Sequence, residues 1–169
     1  MKYLLLLILV ICFGVQAHDG RVYITGTITD NTCTLTPDSE NITVNMGSVS
    51  NRQFYQAGAG AAYQPFSINL ENCGSTASGV TVSFSGTEDP KNPDLLAIAA
   101  GAGNASGVGI ALYNSDKSLI PAGENSRMQP LIGGQSSVHL TFYARYVADG
   151  NAVVAGEADA SATFVLTYA

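Results

Sequence analysis

Apolar residues recur at every second position in short stretches along most of this chain. Clear alternation covers residues 42–46, 66–70, 80–84, 108–112, 138–146 and 162–168, and clusters rich in Gly, Pro, Asn, Asp and Ser separate these stretches. A period of two with such punctuation predicts β-strands joined by turns. No stretch shows a sustained helical period, since Gly101 and Gly103 interrupt the alanine-rich residues 95–105. The pattern therefore predicts an all-β protein, most simply a two-sheet sandwich of immunoglobulin type.

A further alternating stretch, residues 19–32, precedes this series. Val22, Ile24, Gly26 and Ile28 fall on one face of an extended strand, while Tyr23 and threonines fall on the other. A glycine inside an apolar face weakens a strand and allows another backbone to approach closely. Nothing in the sequence obliges this strand to pair within its own domain. The alternative is that it forms the first strand of its own sheet, and the pattern leaves both interpretations open.

Residues 1–17 are predicted to form a secretory signal peptide. Lys2 supplies the positive start, residues 4–13 form the apolar run, and Val15-Gln16-Ala17 fits a cleavage site that makes His18 the first mature residue. An uncleaved membrane anchor is the weaker alternative, because a bilayer span needs roughly 20 apolar residues.

Removing the signal leaves one domain's length of chain with an acidic balance. The mature part, residues 18–169, keeps six basic against 13 acidic residues, a formal charge of −7. Phosphate backbones require a basic face, so the charge argues against nucleic acid as a partner.

Two cysteines, Cys33 and Cys73, remain in the exported chain. Export favours a disulfide between them, and a loop of this size would stabilise the fold by roughly 4 kcal/mol. A metal site is the poorer alternative, because these cysteines and the two histidines, His18 and His139, lack the close spacing of zinc ligands.

The sequence offers no catalytic constellation. His139 lies between core-facing residues of a predicted strand and should point to solvent, while Glu88 and Asp89 lie in a proline-containing loop and are predicted to be solvated. Nucleophilic catalysis needs a base beside the nucleophile, and no nucleophile-elbow or phosphate-loop motif occurs. We therefore expect no enzymatic activity, no cofactor and no small-molecule substrate.

At this point the chain resembles the chaperone–usher pilins, most closely the minor tip-adaptor subunits of type 1 fimbriae, the FimF type. The similar stretches are ITGTITDNTC, LLAIAAGAGNASGVGIALYN, FYARYVADG and ATFVLTYA. Further marks are the early cysteine pair, Gly156 as the fourteenth residue from the C-terminus, and the penultimate Tyr168. The terminal Ala169 departs from the polar residue with which many relatives end.

The resemblance implies an incomplete immunoglobulin-like sandwich that lacks its seventh strand. Residues 18–32 would be an N-terminal donor-strand extension, with Val22, Ile24, Gly26 and Ile28 as its binding face, and residues 33–169 the pilin domain. The last strand would border an open groove and bind the chaperone, through Gly156, Phe164, Leu166, Tyr168 and Ala169. A periplasmic chaperone, an outer-membrane usher and neighbouring pilins on both sides would be the partners.

The function implied is that of a structural subunit exported through the periplasm to a surface fimbrium, supporting cell adhesion. Its expected position is near the tip, between adhesin and fibre. One alternative within the family is the major rod subunit. An alternative of another class is a self-contained exported carbohydrate-binding module.

Overall fold

The computed structural model describes residues 21–169, so the predicted signal peptide and its cleavage site between Ala17 and His18 lie outside the described residues. The described chain forms nine strands and two 3-10 turns. The strands are β1 (Thr34–Leu35), β2 (Gln64–Glu71), β3 (Gly79–Gly86), β4 (Leu96–Ala97), β5 (Val108–Tyr113), β6 (Leu119–Ile120), β7 (Gln129–Pro130), β8 (Ser137–Ala148) and β9 (Ala162–Tyr168). The 3-10 turns are Pro37–Ser39 and Asn51–Gln53.

The larger sheet has the order β1-β2-β8-β5-β4, with β6 also pairing β5. Every pairing is antiparallel, and the long strand β8 lies at its centre. Phe66 of β2 stands opposite Phe142, and Leu112 of β5 stands opposite Ala144. The register thus brings the apolar positions of three neighbouring strands, β2, β8 and β5, onto one face of the sheet. This is what the period-two pattern requires.

The smaller sheet has three strands in the order β7-β3-β9. Val82 in the middle of β3 pairs with Leu166 in the middle of β9. Because β7 and β9 flank β3, the strand that ends the chain lies at the edge of its sheet.

The core lies between the two sheets. Ile68, Val82 and Phe142 are fully buried in one cluster to which both sheets contribute. Phe84 of the smaller sheet meets Phe142 of the larger sheet edge to face, with ring centroids 5.3 Å apart. The all-β immunoglobulin-like sandwich predicted from the alternating pattern is confirmed.

One predicted strand is not part of any ladder. Residues 42–46 keep their alternation, with Ile42, Val44 and Met46 half-buried and the residues between them exposed, yet they pair with no strand of the described chain. Three short strands that the sequence did not predict, β1, β6 and β7, add to the sheet edges. Each has two residues, too few for a periodic signal.

In the proline-containing loop after β3, the environment of Asp89 also differs from the prediction. Asp89 is buried and accepts backbone hydrogen bonds from Lys91 at 2.9 Å and Asn92 at 3.0 Å, so the prediction that it is solvated is wrong. The carboxylate satisfies amides of a tight turn, which is a structural role that aspartate often takes. Glu88 and His139 are exposed, as predicted.

Within residues 21–169 no helix is long and apolar enough to cross a membrane. The same residues contain no group of three or more His, Cys, Asp and Glu side chains arranged to hold a metal ion.

Candidate strand-accepting groove

The strand β9 offers one free backbone edge. It pairs with β3 along its whole length, and no other described strand lies beyond it. Its inward side chains, Phe164, Leu166 and Tyr168, are only half-buried although they point toward the core. An unpaired edge above incompletely covered apolar side chains is a template for another strand.

Residues 41–47 form the opposite rim. Residues 41–46 make no backbone hydrogen bond to any other part of the described chain, although their burial alternates as it does in a strand. The rim is anchored just ahead of its first residue, where the buried Ser39 accepts a hydrogen bond from the backbone of Asn69 at 2.8 Å. At its last residue, Gly47 turns the chain with a φ of +66°. Within the described chain, the rim thus has an anchor but no pairing partner.

Between the two rims lies an open groove with a volume of about 1040 Å³. Its floor is apolar and comes from both sheets, including Phe66, Phe84, Leu96, Ile110 and Leu112. The rings of Phe84 and Phe164 are 6.4 Å apart, so the aromatic core continues directly into the groove wall. Phe84, Leu96, Ile110 and Leu112 are themselves buried, but Phe66 and Phe164 are only half-buried, so part of the apolar wall meets water in the empty groove.

Two tyrosine hydroxyls make hydrogen bonds near the groove: Tyr146 lines it, and Tyr168 lies further along β9, beyond the residues that line it. The Tyr168 hydroxyl donates to the Cys33 carbonyl at 3.2 Å, and the Tyr146 hydroxyl donates to the Ala158 carbonyl at 2.7 Å. Burial raises the pKa of both phenols, and for Tyr146 the nearby carboxylate of Asp159 raises the pKa further. Both tyrosines therefore stay neutral donors at physiological pH.

The disulfide between Cys33 and Cys73 is present, as predicted. It ties the segment ahead of β1 to the loop that follows β2. Since Tyr168 bonds to the Cys33 carbonyl, the disulfide also helps to hold the C-terminal end of β9.

The described part of the N-terminal extension, residues 21–32, stays outside both sheets. Val22, Ile24 and Ile28 expose 87%, 92% and 102% of their side-chain reference surface, so the alternative that this segment begins its own sheet is not what the structure shows. The predicted donor face is thus uncovered, with Gly26 in open space.

The base of the extension is attached to the domain. Gly74 donates its amide hydrogen to the Thr32 carbonyl at 2.8 Å, and Thr76 donates both its backbone amide and its hydroxyl to the Asp30 carbonyl, at 3.1 and 2.7 Å. We call these contacts the clip.

The two ends of the sandwich are named by their relation to the clip. The end that carries the clip, formed by residues 30–34, 71–79 and 128–137, is the exit pole. The opposite end, with residues 55–61 and 149–162, is the entry pole.

The residues predicted for the groove strand separate into two groups. Phe164, Leu166 and Tyr168 lie on β9, and Ala169 continues it by donating to the Gly79 carbonyl at 2.9 Å. Gly156 lies outside the strand, in the loop before β9, where an added Cβ would collide with the backbone of residues 103–105. It also lines a second, smaller cavity of about 90 Å³ rather than the groove. Gly156 allows close packing of two loops there.

The sequence analysis missed the second rim as a functional element. The alternation of Ile42, Val44 and Met46 predicted an ordinary strand, since periodicity reports which face is apolar but not whether the backbone is paired. One signal was available: the resemblance implied a sandwich that lacks one strand, and such a sandwich must leave the edges beside the gap unpaired.

The fold and the groove together define a class: an immunoglobulin-like sandwich that lacks one strand and carries an uncovered strand-like extension at its N-terminus. Comparison with known proteins agrees with this class. A family model described as "Fimbrial protein" matches residues 22–169.

Among curated proteins, the chain is 43% identical over 152 residues to the uncharacterized fimbrial-like protein YcbV of Escherichia coli K12, covering 90% of this chain and 87% of that protein. It is 35% identical to the probable major fimbrial subunit LpfA of Escherichia coli O157:H7, covering 92% and 87%.

Solved structures show the same fold. An antigen and type I fimbria protein of Burkholderia pseudomallei matches with a TM-score of 0.62 and 34% identity, covering 83% of this chain and 91% of that one. The P pilus rod subunit PapA matches with a TM-score of 0.68 and 23% identity, covering 81% and 99%.

The chain belongs to the fimbrial protein family. It is a structural subunit of a surface fimbrium and not an enzyme, and it has the incomplete sandwich of the chaperone–usher pilins.

The hydroxyl of Tyr168 provides a test of how the C-terminal end of β9 is held. Folding raises its pKa, so the stability that the neutral phenol contributes is complete below about pH 10 and is lost as pH rises through the folded pKa. Tyr168→Phe should cost about 1 kcal/mol at pH 7 by removing the bond to Cys33. Urea unfolding of the subunit at pH 8 and pH 11 should show a smaller loss of stability in this variant than in the parent. Tyr55→Phe, at an exposed tyrosine, should behave like the parent; equal pH dependence in both variants would contradict the assignment.

Proposed function

We propose that this chain polymerises by donor-strand exchange: its extension fills the groove of the subunit ahead, and the extension of the subunit behind fills its own groove. The observation that supports the proposal is the pairing of an open apolar groove with an exposed apolar extension of matching length. β9 has seven residues, and residues 22–28 also number seven, so each spans roughly 20 Å at about 3.4 Å per residue.

The energetics favour filling the groove. Burial of Val22, Ile24 and Ile28 contributes about 1.5–3 kcal/mol for each side chain, or roughly 5–9 kcal/mol together before ordering costs. The incoming backbone also pairs with two open edges, β9 and residues 41–47, where unpaired groups otherwise face water.

The positions of the two poles set the direction of the incoming strand. The chain's own extension leaves at the exit pole, so the subunit behind stands at the entry pole. β9 ends at the exit pole, where Tyr168 bonds to Cys33, and its first residue, Ala162, is therefore nearer the entry pole. The incoming Ile28 then lies near Ala162 and the incoming Val22 near Tyr168, so the strand runs antiparallel to β9.

Before assembly, the groove needs a temporary occupant, since its half-buried aromatic residues and two free edges favour aggregation. We propose that a periplasmic chaperone strand fills it, with the carboxylate of Ala169 held by basic chaperone residues, and that an outer-membrane usher exchanges this strand for the next extension. Residues 18–32 serve as donor and residues 33–169 as the acceptor domain.

For the position in the fibre, we propose a minor tip adaptor that links the adhesin to the shaft. The support is the similarity of residues 24–33 and 95–114 to the adaptor subunits. The rod position is the second candidate, favoured by the 35% identity to a probable major fimbrial subunit. Quantifying the chain in purified fimbriae separates them, because a rod subunit dominates the preparation and an adaptor is scarce.

Periplasmic expression of the full chain with and without its cognate chaperone, followed by gel filtration, tests the incomplete fold. We expect a one-to-one complex with the chaperone, and aggregation or degradation without it. A well-behaved monomer without any chaperone would contradict the proposal and favour a self-contained carbohydrate-binding module.

A further inference from the structure

The clip leaves almost no free chain between the domain and the donor strand. The Asp30 carbonyl is bonded to Thr76, and Ile28, the last apolar residue of the donor face, precedes Asp30 by only two positions. Two extended residues span at most about 7 Å. If Ile28 enters the groove of the subunit ahead, that groove must open directly against the exit pole.

The exit pole presents uncovered apolar side chains next to the clip. Ile132 and Met128 expose 74% and 59% of their side-chain surface, and they flank β7, whose residues pair with the start of β3. They are the large apolar side chains that this pole exposes outside the extension, among the residues that the structure describes.

The loop that carries Ile132 is held rigidly beside the clip. Gln135 donates its amide hydrogen to the Ile132 carbonyl at 3.0 Å, closing a turn, and Gly134 donates to the Gly74 carbonyl at 3.0 Å. Gly133 packs so closely on Ser75 that an added Cβ would collide with the Ser75 carbonyl. Ser75 stands between the two clip residues Gly74 and Thr76, so the loop that carries Ile132 and the root of the extension are attached to the same short segment, residues 74–76.

We propose that Met128 and Ile132 form a second docking surface, the seat, which packs against the entry pole of the same subunit that receives this chain's extension. The inference rests on the proposed donor-strand function and names a further contact in it. The partner is a pilin of this fold standing ahead in the fibre, because the short reach from the clip brings that subunit against the exit pole.

A pilin entry pole offers suitable chemistry for this contact. In the present chain the entry pole exposes two large apolar side chains, Tyr55 at 78% and Val154 at 56%. A contact between the exit pole of one subunit and the entry pole of the next is heterologous and repeats along a fibre. The seat would make the junction stiff, whereas the extension alone would form a hinge.

Hydroxyl-radical footprinting with mass spectrometry tests the seat in the unmodified protein. Labelling is compared between assembled fimbriae and the unassembled, chaperone-bound chain from the periplasm. We expect labelling of Met128 and Ile132 to fall severalfold on assembly, together with that of Ile24 and Ile28. Leu119, an apolar residue 39% exposed on the flank of the larger sheet, is the internal control and should change little.

The possible outcomes separate the two proposals. Protection of Ile24 and Ile28 without protection of Met128 and Ile132 would overturn the seat and leave donor-strand exchange standing. Absence of protection at Ile24 and Ile28 would overturn both.

A matched pair of variants tests the contribution of the seat to the junction. Ile132→Ser should release subunits from fimbriae about tenfold faster in warm detergent than the parent, the factor that the loss of one buried aliphatic side chain produces. Leu119→Ser should release them at the parental rate. Equal rates for both variants would overturn the seat. Because Ile132 is exposed in the free subunit, its replacement should leave the fold itself unchanged.

Discussion

Replacing Ile24 by aspartate should abolish incorporation of this chain onto the subunit ahead of it. Ile24 is 92% exposed in the free chain, so the substitution costs the subunit's own fold nothing. In the groove, the variant loses about 1.5–3 kcal/mol of apolar burial and must also desolvate a carboxylate, which costs several kcal/mol more. A loss of this size removes most of the 5–9 kcal/mol that we assign to the donor face.

Thr25→Asp is the matched control for Ile24→Asp. Thr25 is the next residue and falls on the opposite face of the extended strand, so its side chain should remain in water when the strand is bound. Immunoblotting of purified fimbriae should detect the Thr25 variant and not the Ile24 variant. Equal incorporation of the two would contradict the assignment of the donor face.

Loss of the disulfide should be the most damaging change to the free domain. The bond between Cys33 and Cys73 closes a loop of 40 residues, and on the chain-entropy model it stabilises the fold by roughly 4 kcal/mol. The double variant Cys33→Ala/Cys73→Ala should therefore unfold at much lower urea concentration, or be degraded in the periplasm. Loss of the disulfide should also loosen β9, because the same bond positions the Cys33 carbonyl to which Tyr168 of β9 donates.

Chemical reduction distinguishes the effect of breaking the S–S bond from the effect of replacing the two cysteine side chains. The parent chain treated with a thiol reductant should unfold at the same urea concentration as the double variant, and the double variant should not respond to the reductant. If reduction left the stability of the parent unchanged, the stabilising role of the disulfide would be refuted.

The sequence predicted most of the strands because their alternation is strong and uninterrupted. β3, β8 and β9 lie where the apolar residues recur, since a strand with one face in a core must place an apolar residue at every second position. β1, β6 and β7 were missed because strands of two residues leave no periodic pattern. Asp89 was misassigned because burial of a loop carboxylate depends on which amides the turn brings toward it.

The groove shows most clearly what the alternation of apolar residues cannot predict, namely whether the edge of a strand is paired. Residues 42–46 and 162–168 carry the same alternation as fully paired strands, and only the three-dimensional arrangement shows that each has a free edge facing the other. Gly156 illustrates the same limit, since its distance from the C-terminus could not reveal that it packs two loops together outside the groove.

The sequence by itself determined the all-β class, the cysteine pair and the apolar face of the extension, because each depends on residue type and local spacing. Only the tertiary structure decided that the extension stays unpaired, that two rims remain open, and that the clip joins the extension to the exit pole within two residues of its last apolar side chain. These features depend on which distant segments meet, and the free energy of such contacts is set by the packed fold rather than by any short stretch of sequence.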